Sequence, residues 1–364
     1  PASDTRRLEL ATEAVAVARE TGDPAALEHV LVRSWASLDG ATPWHMEFGR
    51  FNAEAAEFAA ATGNVDVMRA TELFAMCVAS TVGDRAAADE HLAAYVRHGD
   101  RSRRRDVRAN VQWKEAQQAI FAGRLAEGER LTLDALALSA DSGIDPENVS
   151  ASIGSLFYAI RQGQGRLDEL VPAIEDLVTA QPGLPVWRLA LAGAFYECDR
   201  YDESRLHWDW LAADECAVLR RDVLYPVNVC GLARMAYRLR PSLDVLAFVY
   251  DALVPFAGIF NWTGGSMGEG NDTGLAMAAE TLGRPEDADR HHADAIALCE
   301  RAGAHAYLAR AHLDRASILV DRRDAAAARP HLETAIEVGE EVGMNGPFGV
   351  VVKGRKLLAS LEAG

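Results

Sequence analysis

A glycine-rich segment at residues 258–271 contains the pattern in this chain that comes nearest to a catalytic motif. Gly264, Ser266 and Gly268 have the Gly-x-Ser-x-Gly spacing that holds a nucleophilic serine on a strained strand-to-helix turn in hydrolases. No strand-rich context precedes the motif, and no His and Asp can be tied to the serine. The glycines also open a helix near Asp272, where free backbone N–H groups could hold an anion. We favour a third interpretation, a flexible loop between two repeats.

Two adjacent histidines, His291 and His292, lie among acidic residues and could suggest a metal site. Neighbouring helical residues point about 100° apart, so two adjacent imidazoles are poorly placed to chelate one ion. His292 also falls at a packing position of the repeat pattern described below, which predicts burial. We therefore expect no bound metal, no cofactor and no catalytic residue.

The remaining charged clusters are interpreted as solvated helix surface. The acidic residues between 337 and 341 lie late in a predicted helix and have no visible partner for acid–base chemistry. The arginine-rich run 101–105 could meet a phosphate or an acidic partner domain, but Asp100 and Asp106 balance it. With 37 basic and 54 acidic residues the net charge is −17, which disfavours general binding to nucleic acid or to an anionic membrane.

The overall composition is that of a globular chain rather than a disordered or membrane-spanning one. Of the 364 residues 49% are hydrophobic and 25% charged, and no apolar run approaches the ~18–20 residues that span a bilayer. The first residues show no secretion signal, and the five cysteines form no Cys-x-x-Cys pair. We expect reduced, mostly buried thiols and a cytoplasmic location.

Helical periodicity runs along the whole chain, whereas strand-like alternation is nearly absent. Short turns that contain Gly or Asp, such as those at Gly83, Gly123 and Gly283, divide the helical segments into pairs. After each turn a stripe recurs at spacing i, i+4, i+7, which places its members on one helix face. The stripes are Ala88/Leu92/Tyr95, Gly128/Thr132/Ala135, Leu170/Ile174/Leu177, Ser204/Trp208/Leu211, Leu246/Tyr250/Leu253, Ala288/His292/Ala295 and Ala328/Leu332/Ala335.

Successive stripes begin about 34–42 residues apart, which is a period typical of helical repeats. The sequence therefore predicts an all-α fold, a right-handed superhelical solenoid of antiparallel helix pairs that is similar to tetratricopeptide repeats. We expect one array, with divergent helices in residues 1–64, repeats in 65–343 and a capping helix in 344–364. The divergent part is expected to contain a helix pair around Ala25–Leu38 and Pro43–Ala61.

Four segments carry a resemblance to a known group of proteins. They are Gly163–Leu170, Gln181–Arg188, Tyr250–Ala257, and Ala278–Arg284 continuing through Ala304 to Asp314. These segments resemble the long tetratricopeptide region at the C-terminus of large bacterial signalling ATPases of the STAND type. Such ATPases carry an adenylate/guanylate cyclase domain in front or a LuxR-type helix-turn-helix behind. The similarity covers about residues 5–343 and is strongest from residue 160 onward.

The resemblance implies a sensor or scaffold arm that binds a ligand or partner and gates an attached output domain. The chain has no Gly-x-x-x-x-Gly-Lys-[Ser/Thr] motif, no cyclase-like segment and no basic recognition-helix motif near its C-terminus. Either those domains were cut away or the chain is a free-standing relative. The activities of those domains are therefore not transferred to it.

The concave wall of the solenoid is the predicted binding surface, because the first helix of each pair lines it. The candidate ligand-binding residues on that wall are Asn110, Trp113, Gln117, Ser152, Ser155, Tyr196, Asn228, Thr273 and Arg310. Their amide, hydroxyl, aromatic and guanidinium groups suit a peptide, a protein domain or a polar small molecule.

The leading hypothesis is a non-catalytic binding arm of a bacterial transcriptional or cyclic-nucleotide signalling regulator. The alternative is a free-standing enzyme or small-molecule receptor that uses a pocket near Trp262 and Ser266, in the Gly258–Asn271 segment.

Overall fold

The computed structural model describes residues 5–33 and 45–363, and most of that part is helical. The first nine are α1 (Thr5–Thr21), α2 (Pro24–Arg33), α3 (His45–Thr62), α4 (Val65–Val82), α5 (Arg85–Asp100), α6 (Arg105–Phe121), α7 (Leu125–Ser139), α8 (Pro146–Gln164) and α9 (Val171–Ala180). The others are α10 (Pro185–Glu197), α11 (Tyr201–Cys216), α12 (Tyr225–Leu239), α13 (Leu243–Leu253), α14 (Asn271–Thr281), α15 (Pro285–Ala302), α16 (His305–Asp321), α17 (Ala325–Glu341) and α18 (Val350–Ala363). Short 3₁₀ turns at Leu167–Leu170 and Val254–Phe256 precede α9 and follow α13.

The predicted all-α solenoid is confirmed: consecutive helices pack as antiparallel pairs, and each pair packs on the next. The predicted stripes lie at the contacts between helices; Ala288, His292 and Ala295 of α15 are all buried, for example. The turns also behave as predicted. Gly83 ends α4 at φ +76°, a left-handed conformation that a side chain would strain. Asp84 then caps α5 by accepting a hydrogen bond from the backbone N–H of Ala87 at 3.1 Å.

The N-terminal prediction is only partly within the described residues. Helices α2 and α3 correspond to the predicted pair, although residues 34–38 and 43–44 of that prediction lie outside the described ranges. At the other end α18 is the predicted terminal helix, and its Val350 and Val351 are buried against the preceding repeat.

The first helices of the pairs form the centre of the molecule and are buried on nearly all sides. Every residue of α14 from Asn271 to Ala279 is buried, and α6 and α12 are almost as enclosed. The second helices, such as α15 and α17, have one buried stripe and an exposed face. A solenoid whose inner wall is covered requires this arrangement, in which the inner helices are buried on nearly all sides and the outer helices face solvent on one side.

Late repeats pack directly on early ones, so the superhelix closes on itself. Residues of α6 and α8 share one hydrophobic core with residues of α16 and α18. A second core joins α4 to α15. Further along, the backbone N–H groups of Gly346 and Phe348 donate to the carbonyls of Gln164 (2.9 Å) and Gly165 (3.1 Å). The inner wall is therefore enclosed, and the prediction of an open concave groove is corrected.

The glycine-rich segment is a buried β-hairpin, and the prediction of a flexible loop is wrong. Strands β1 (Phe260–Trp262) and β2 (Met267–Gly270) pair antiparallel, with Phe260 opposite Gly270. The chain reverses through a turn in which the N–H of Thr263 donates to the carbonyl of Ser266 at 2.9 Å. Apolar side chains on both strands explain the burial: Phe260 meets the ring of Phe121 edge-on at 4.9 Å between centroids.

All five cysteines are buried and unpaired, as predicted from their spacing. Among the described helices, none combines the length and apolar character needed to cross a membrane.

Candidate functional site

All nine predicted ligand-binding residues lie on the first helices of their pairs, which was the basis of the prediction. The structure does not gather them into one surface. Asn110, Asn228 and Thr273 lie apart from the cavities described below. Asn110 and Asn228 each donate a side-chain hydrogen bond to a backbone carbonyl one turn earlier in their own helix, at 2.8 and 2.7 Å. These contacts tie the amides to their own helices, although Asn228 Oδ1 accepts no hydrogen bond from the described residues.

The hairpin covers the predicted residues of α6. Trp113 is 4% exposed and donates from its indole Nε1 to the carbonyl of Gly265 at 3.2 Å. Gln117 is buried beside it and accepts a hydrogen bond from Lys114 at 3.1 Å. This part of the inner wall therefore binds a strand-like segment, but the segment belongs to the same chain.

The predicted serines of α8 meet the same hairpin turn. A Cβ atom at Gly265 would lie 2.3 Å from Ser155 Oγ and 3.0 Å from the carbonyl oxygen of Ser152. Only a glycine allows the hairpin to approach α8 this closely. Ser155 also borders a cavity that opens beyond the turn.

The cavity has a volume of about 510 Å³ and lies between α8, α9, α10, α12 and the hairpin. Its wall is mostly apolar and includes Ile174, Leu177, Leu184, Leu189, Met235 and Met267. Aromatic side chains are frequent in this wall: Phe157, Tyr158, Trp187, Tyr196 and Tyr307 all contribute. Ser155 and Tyr196 are the two predicted site residues that line it. An apolar space of this size is typical of small-molecule sites.

A buried network of ion pairs forms the floor of this cavity. Arg234 of α12 binds Asp314 of α16 through two hydrogen bonds, Nε to Oδ2 at 3.0 Å and Nη2 to Oδ1 at 3.1 Å. Its Nη1 donates to Glu197 of α10 at 2.7 Å, and Glu197 also accepts from Arg310 of α16 at 2.6 Å. Three inner helices are thereby joined through charged residues that are all buried.

The charges in this network compensate one another. Burial would raise the pKa of Glu197, but the positive charges of Arg310, Arg234 and Lys353 outweigh it and hold that pKa well below its usual range. Glu197 is therefore ionised and central to the network. A buried group of this kind costs free energy unless every partner is present.

Glu269 on strand β2 differs from the other carboxylates of the network. Its nearest cations are Arg234 Nε at 3.4 Å and Arg310 Nη2 at 3.8 Å, and within the described part of the chain its carboxylate accepts no hydrogen bond. Burial raises the pKa of Glu269, and the two guanidinium groups offset the effect only in part. The carboxylate lines the cavity and has free hydrogen-bonding capacity.

Asn261 on strand β1 adds a second free acceptor to the cavity lining. It is 3% exposed, and its Nδ2 donates to the carbonyl of Glu269 at 3.0 Å. Its Oδ1 accepts no hydrogen bond from any residue that the structure describes. A buried amide oxygen without a donor is costly, so a ligand or water that brings a donor to it would gain free energy.

A smaller cavity of about 260 Å³ lies on the other side of the ion-pair network. Tyr196, Glu197 and Arg234 border both cavities, and the predicted residue Arg310 borders the smaller one. Lys353 of α18 reaches into it and donates to the backbone carbonyl of Glu197 at 2.7 Å. The network is thus a charged partition between two spaces.

The serine of the Gly-x-Ser-x-Gly pattern is not arranged as a nucleophile. Ser266 Oγ lies 3.0 Å from Thr263 Oγ1 inside the hairpin turn. No histidine hydrogen-bonds to this hydroxyl in the described residues, and the turn joins two strands rather than a strand and a helix. The geometry lacks the base that a serine nucleophile requires.

The histidine pair is split between two environments. His292 packs in its stripe at 1% exposure, as predicted. His291 Nδ1 contacts Asp272 at 2.7 Å, and Asp272, His291 and Asp294 bring their ligand atoms within 4.8 Å of one another. However, Arg290 Nη2 lies 3.3 Å from His291 Nε2, and a guanidinium at that distance opposes a bound cation.

Sequence reasoning missed Glu197, Arg234 and Glu269, the residues that give the cavity its polar floor. One sequence signal could have found them: a charged residue on the inward-facing side of a first helix. Arg234, on a strongly apolar stretch of α12, meets that description. The pairing itself could not be recognised, because Arg234 and Asp314 are 80 residues apart.

Comparisons with known proteins identify no family. No family model matches the chain, and no curated protein matches it. Among solved structures it is similar to one described as a circular tandem repeat protein with novel repeat topology and enhanced subunit contact surfaces. That match has 13% identity and a TM-score of 0.16, and it covers 99% of this chain and 82% of the other. At these values it carries no argument about a binding site.

Proposed function

We propose that this chain is a non-catalytic binding module whose ligand occupies the 510 Å³ cavity between α8, α10, α12 and the hairpin. As the resemblance to signalling ATPases implies, the module would act as the sensor arm of a bacterial cytoplasmic regulator. Ligand binding would gate an output domain only if the ligand binds the two states of the array with different affinities.

The observation that carries the proposal is a mostly apolar cavity whose lining includes polar groups with unused acceptors. Glu269 and Asn261 are these groups, and both lie on the hairpin. Apolar walls supply affinity, and a few fixed polar groups supply orientation. Because the hairpin is also packed on α6 and α8, a ligand that contacts it would be coupled to the packing of several repeats.

The alternative hypothesis placed a pocket next to the Gly258–Asn271 segment, and the cavity lies there. A receptor function is therefore compatible with both hypotheses. The enzyme version has no support from Ser266, because its hydroxyl is paired with Thr263.

A neutral fluorescent probe, N-phenyl-1-naphthylamine, tests the proposal without knowledge of the natural ligand. We expect saturable one-to-one binding with increased emission, because the probe is apolar and the cavity wall is apolar. Gly154 lies at the rim, where an added Cβ would meet no atom within 4 Å. We expect Gly154→Leu to abolish saturable binding by filling this space.

The variant should remain folded, because Leu favours a helix over Gly by roughly 0.5–1 kcal/mol. Ala126→Leu is the matched control, since Ala126 is exposed on α7 and outside the cavity. Absence of saturable binding to the original chain would contradict the proposal. Equal binding to Gly154→Leu would contradict it as well.

A further inference from the structure

The polar end of the large cavity is made mainly of hydrogen-bond acceptors. The Glu269 carboxylate accepts no hydrogen bond from the described residues, and Asn261 Oδ1 has no partner. The Tyr158 hydroxyl lies near the same end of the cavity. Burial raises its pKa, and the negative charges of Glu197 and Glu269 are close enough to raise it further. Free acceptors call for a ligand that brings donors.

More carboxylates than cations border this cavity. Glu197 and Glu269 line it together with one cation, Arg234. That guanidinium is already committed to Asp314 and Glu197 through three hydrogen bonds. An anionic head group would meet a carboxylate with spare capacity and an arginine with little to offer, so the balance disfavours it.

The wall of the cavity is rich in aromatic rings. Tyr158, Trp187, Tyr196 and Tyr307 all line the cavity. The face of an aromatic ring attracts a cation, most strongly where water is excluded. Arg234 already lies over the Tyr196 ring at 5.6 Å, so that ring has a cation partner. The other rings and the Glu269 carboxylate, which accepts no hydrogen bond from the described residues, form an environment that can recognise an organic ammonium ion.

From these observations we infer that the ligand of the large cavity is a hydrophobic organic cation: an apolar body with an ammonium head that binds Glu269 and Asn261. This inference rests on the proposed function, because it assumes that the cavity binds a ligand. The ammonium donates to the Glu269 carboxylate and to Asn261 Oδ1, and the apolar body lies along the leucine-rich wall of α9 and α10.

A series of three ligands with the same apolar body tests the inference: n-octylamine, octan-1-ol and octanoate. Binding to the whole chain is measured by calorimetry at neutral pH. We expect octylamine to bind roughly 10- to 100-fold more tightly than octanol, as for a hydrogen bond to a charged group. Octanoate should bind more weakly than octanol, because it carries a negative charge like that of Glu269 and is repelled by it.

Glu269→Gln should remove the preference for octylamine while keeping the shape of the cavity. The variant is expected to fold, because Arg234 keeps its hydrogen bonds to Asp314 and Glu197, and Arg310 keeps its hydrogen bond to Glu197. Glu333→Gln is the matched control, since Glu333 is exposed on α17. It should leave all three affinities unchanged.

The possible results separate this inference from the proposed function. If N-phenyl-1-naphthylamine or octanol binds but octylamine binds no more tightly than octanol, the inference is overturned and the cavity remains a binding site. A preference for octanoate, or an octylamine preference that survives in Glu269→Gln, also overturns it. If none of the four probes binds, the proposed function itself fails. Should Glu269→Gln not fold, the three-ligand comparison on the unaltered chain still decides whether the head group is cationic.

Discussion

At the scale of single residues, the buried charges of the interior differ in whether they have counter-ions. Arg234 and Arg310 are paired with carboxylates at hydrogen-bond distance. Lys114 is 5% exposed and has no carboxylate partner among the described residues. Its Nζ donates to the carbonyl of Gly264 at 3.0 Å and to Gln117, and it lies over the rings of Trp113 and Trp262 at 5.4 and 5.9 Å.

This burial lowers the pKa of Lys114, because desolvation disfavours the charged form. Between the lowered pKa and the ordinary lysine pKa of about 10.4, the unfolded chain binds more protons than the folded chain. The free energy of unfolding must therefore rise with pH in that window, by at most about 1.4 kcal/mol per pH unit.

Comparison of the original chain with Lys114→Met isolates this effect. We expect the difference in free energy of unfolding, original minus variant, to increase from neutral pH toward pH ~10. Urea denaturation at several pH values measures it. A difference that is constant with pH, or that falls as the pH rises, would show that the pKa of Lys114 is not lowered in the folded chain.

At the scale of elements, the hairpin formed by β1 and β2 is held by the inner wall of the solenoid. Trp113 donates to the carbonyl of Gly265, and Tyr307 donates to the carbonyl of Met267 at 2.8 Å. These are the contacts that a solenoid makes with a bound peptide, here made within one chain. The hairpin in turn supplies Glu269 and Asn261 to the lining of the cavity, so its position sets the shape of the site.

Gly265→Ala tests this dependence. The added Cβ would lie 2.3 Å from Ser155 Oγ and 2.9 Å from Ser152 Cα, so the hairpin or α8 must shift. We expect a loss of about 1–3 kcal/mol in the free energy of unfolding. A change in tryptophan emission should accompany it, because Trp113 and Trp262 pack at this contact.

Gly183→Ala is the matched control for this substitution. A Cβ at Gly183 would meet no atom within 4 Å, and the backbone there has no positive φ. Its stability should be close to that of the original chain. Equal stability of Gly265→Ala and Gly183→Ala would refute a tight contact between the hairpin and α8.

At the scale of the whole molecule, closure of the superhelix creates the enclosed interior. The junction between residues 164–165 and 346–349 is made by backbone hydrogen bonds at 2.9 and 3.1 Å. It leaves no room for side chains: a Cβ at Gly346 would lie 2.3 Å from the carbonyl oxygen of Gln164.

Gly346→Ala should therefore open the junction. We expect the free energy of unfolding to fall by about 1–3 kcal/mol. Hydrogen exchange should become faster at the C-terminal end of α8 and throughout α18, and unchanged in α4 and α5. Gly154→Ala is the control, because a Cβ at this helical position would meet no atom within 4 Å. Its backbone amides should exchange at the rates of the original chain. If hydrogen exchange in Gly346→Ala became faster by the same factor in all helices, a junction that opens locally would be contradicted.

Much of the fold could be predicted from the sequence, because its signals are local. The stripe Ala288/His292/Ala295 and the turn at Gly83 depend on residues within two turns of helix, where periodicity and backbone preference act directly. The placement of the nine candidate residues on first helices followed from the same periodicity. The hairpin escaped detection because its strands have three and four residues, too few for alternation to be recognised.

The sequence by itself determined the helices, their pairing and the burial of each stripe, since these follow from spacing along the chain. Only the tertiary structure decided that the array closes, that a hairpin fills part of its interior, and that Glu197, Arg234 and Asp314 meet. Partners such as Glu197 and Arg234, 37 residues apart, are brought together by the packing of whole helices. The free energy of such contacts depends on distance and burial in space, and a linear pattern of residue types contains neither.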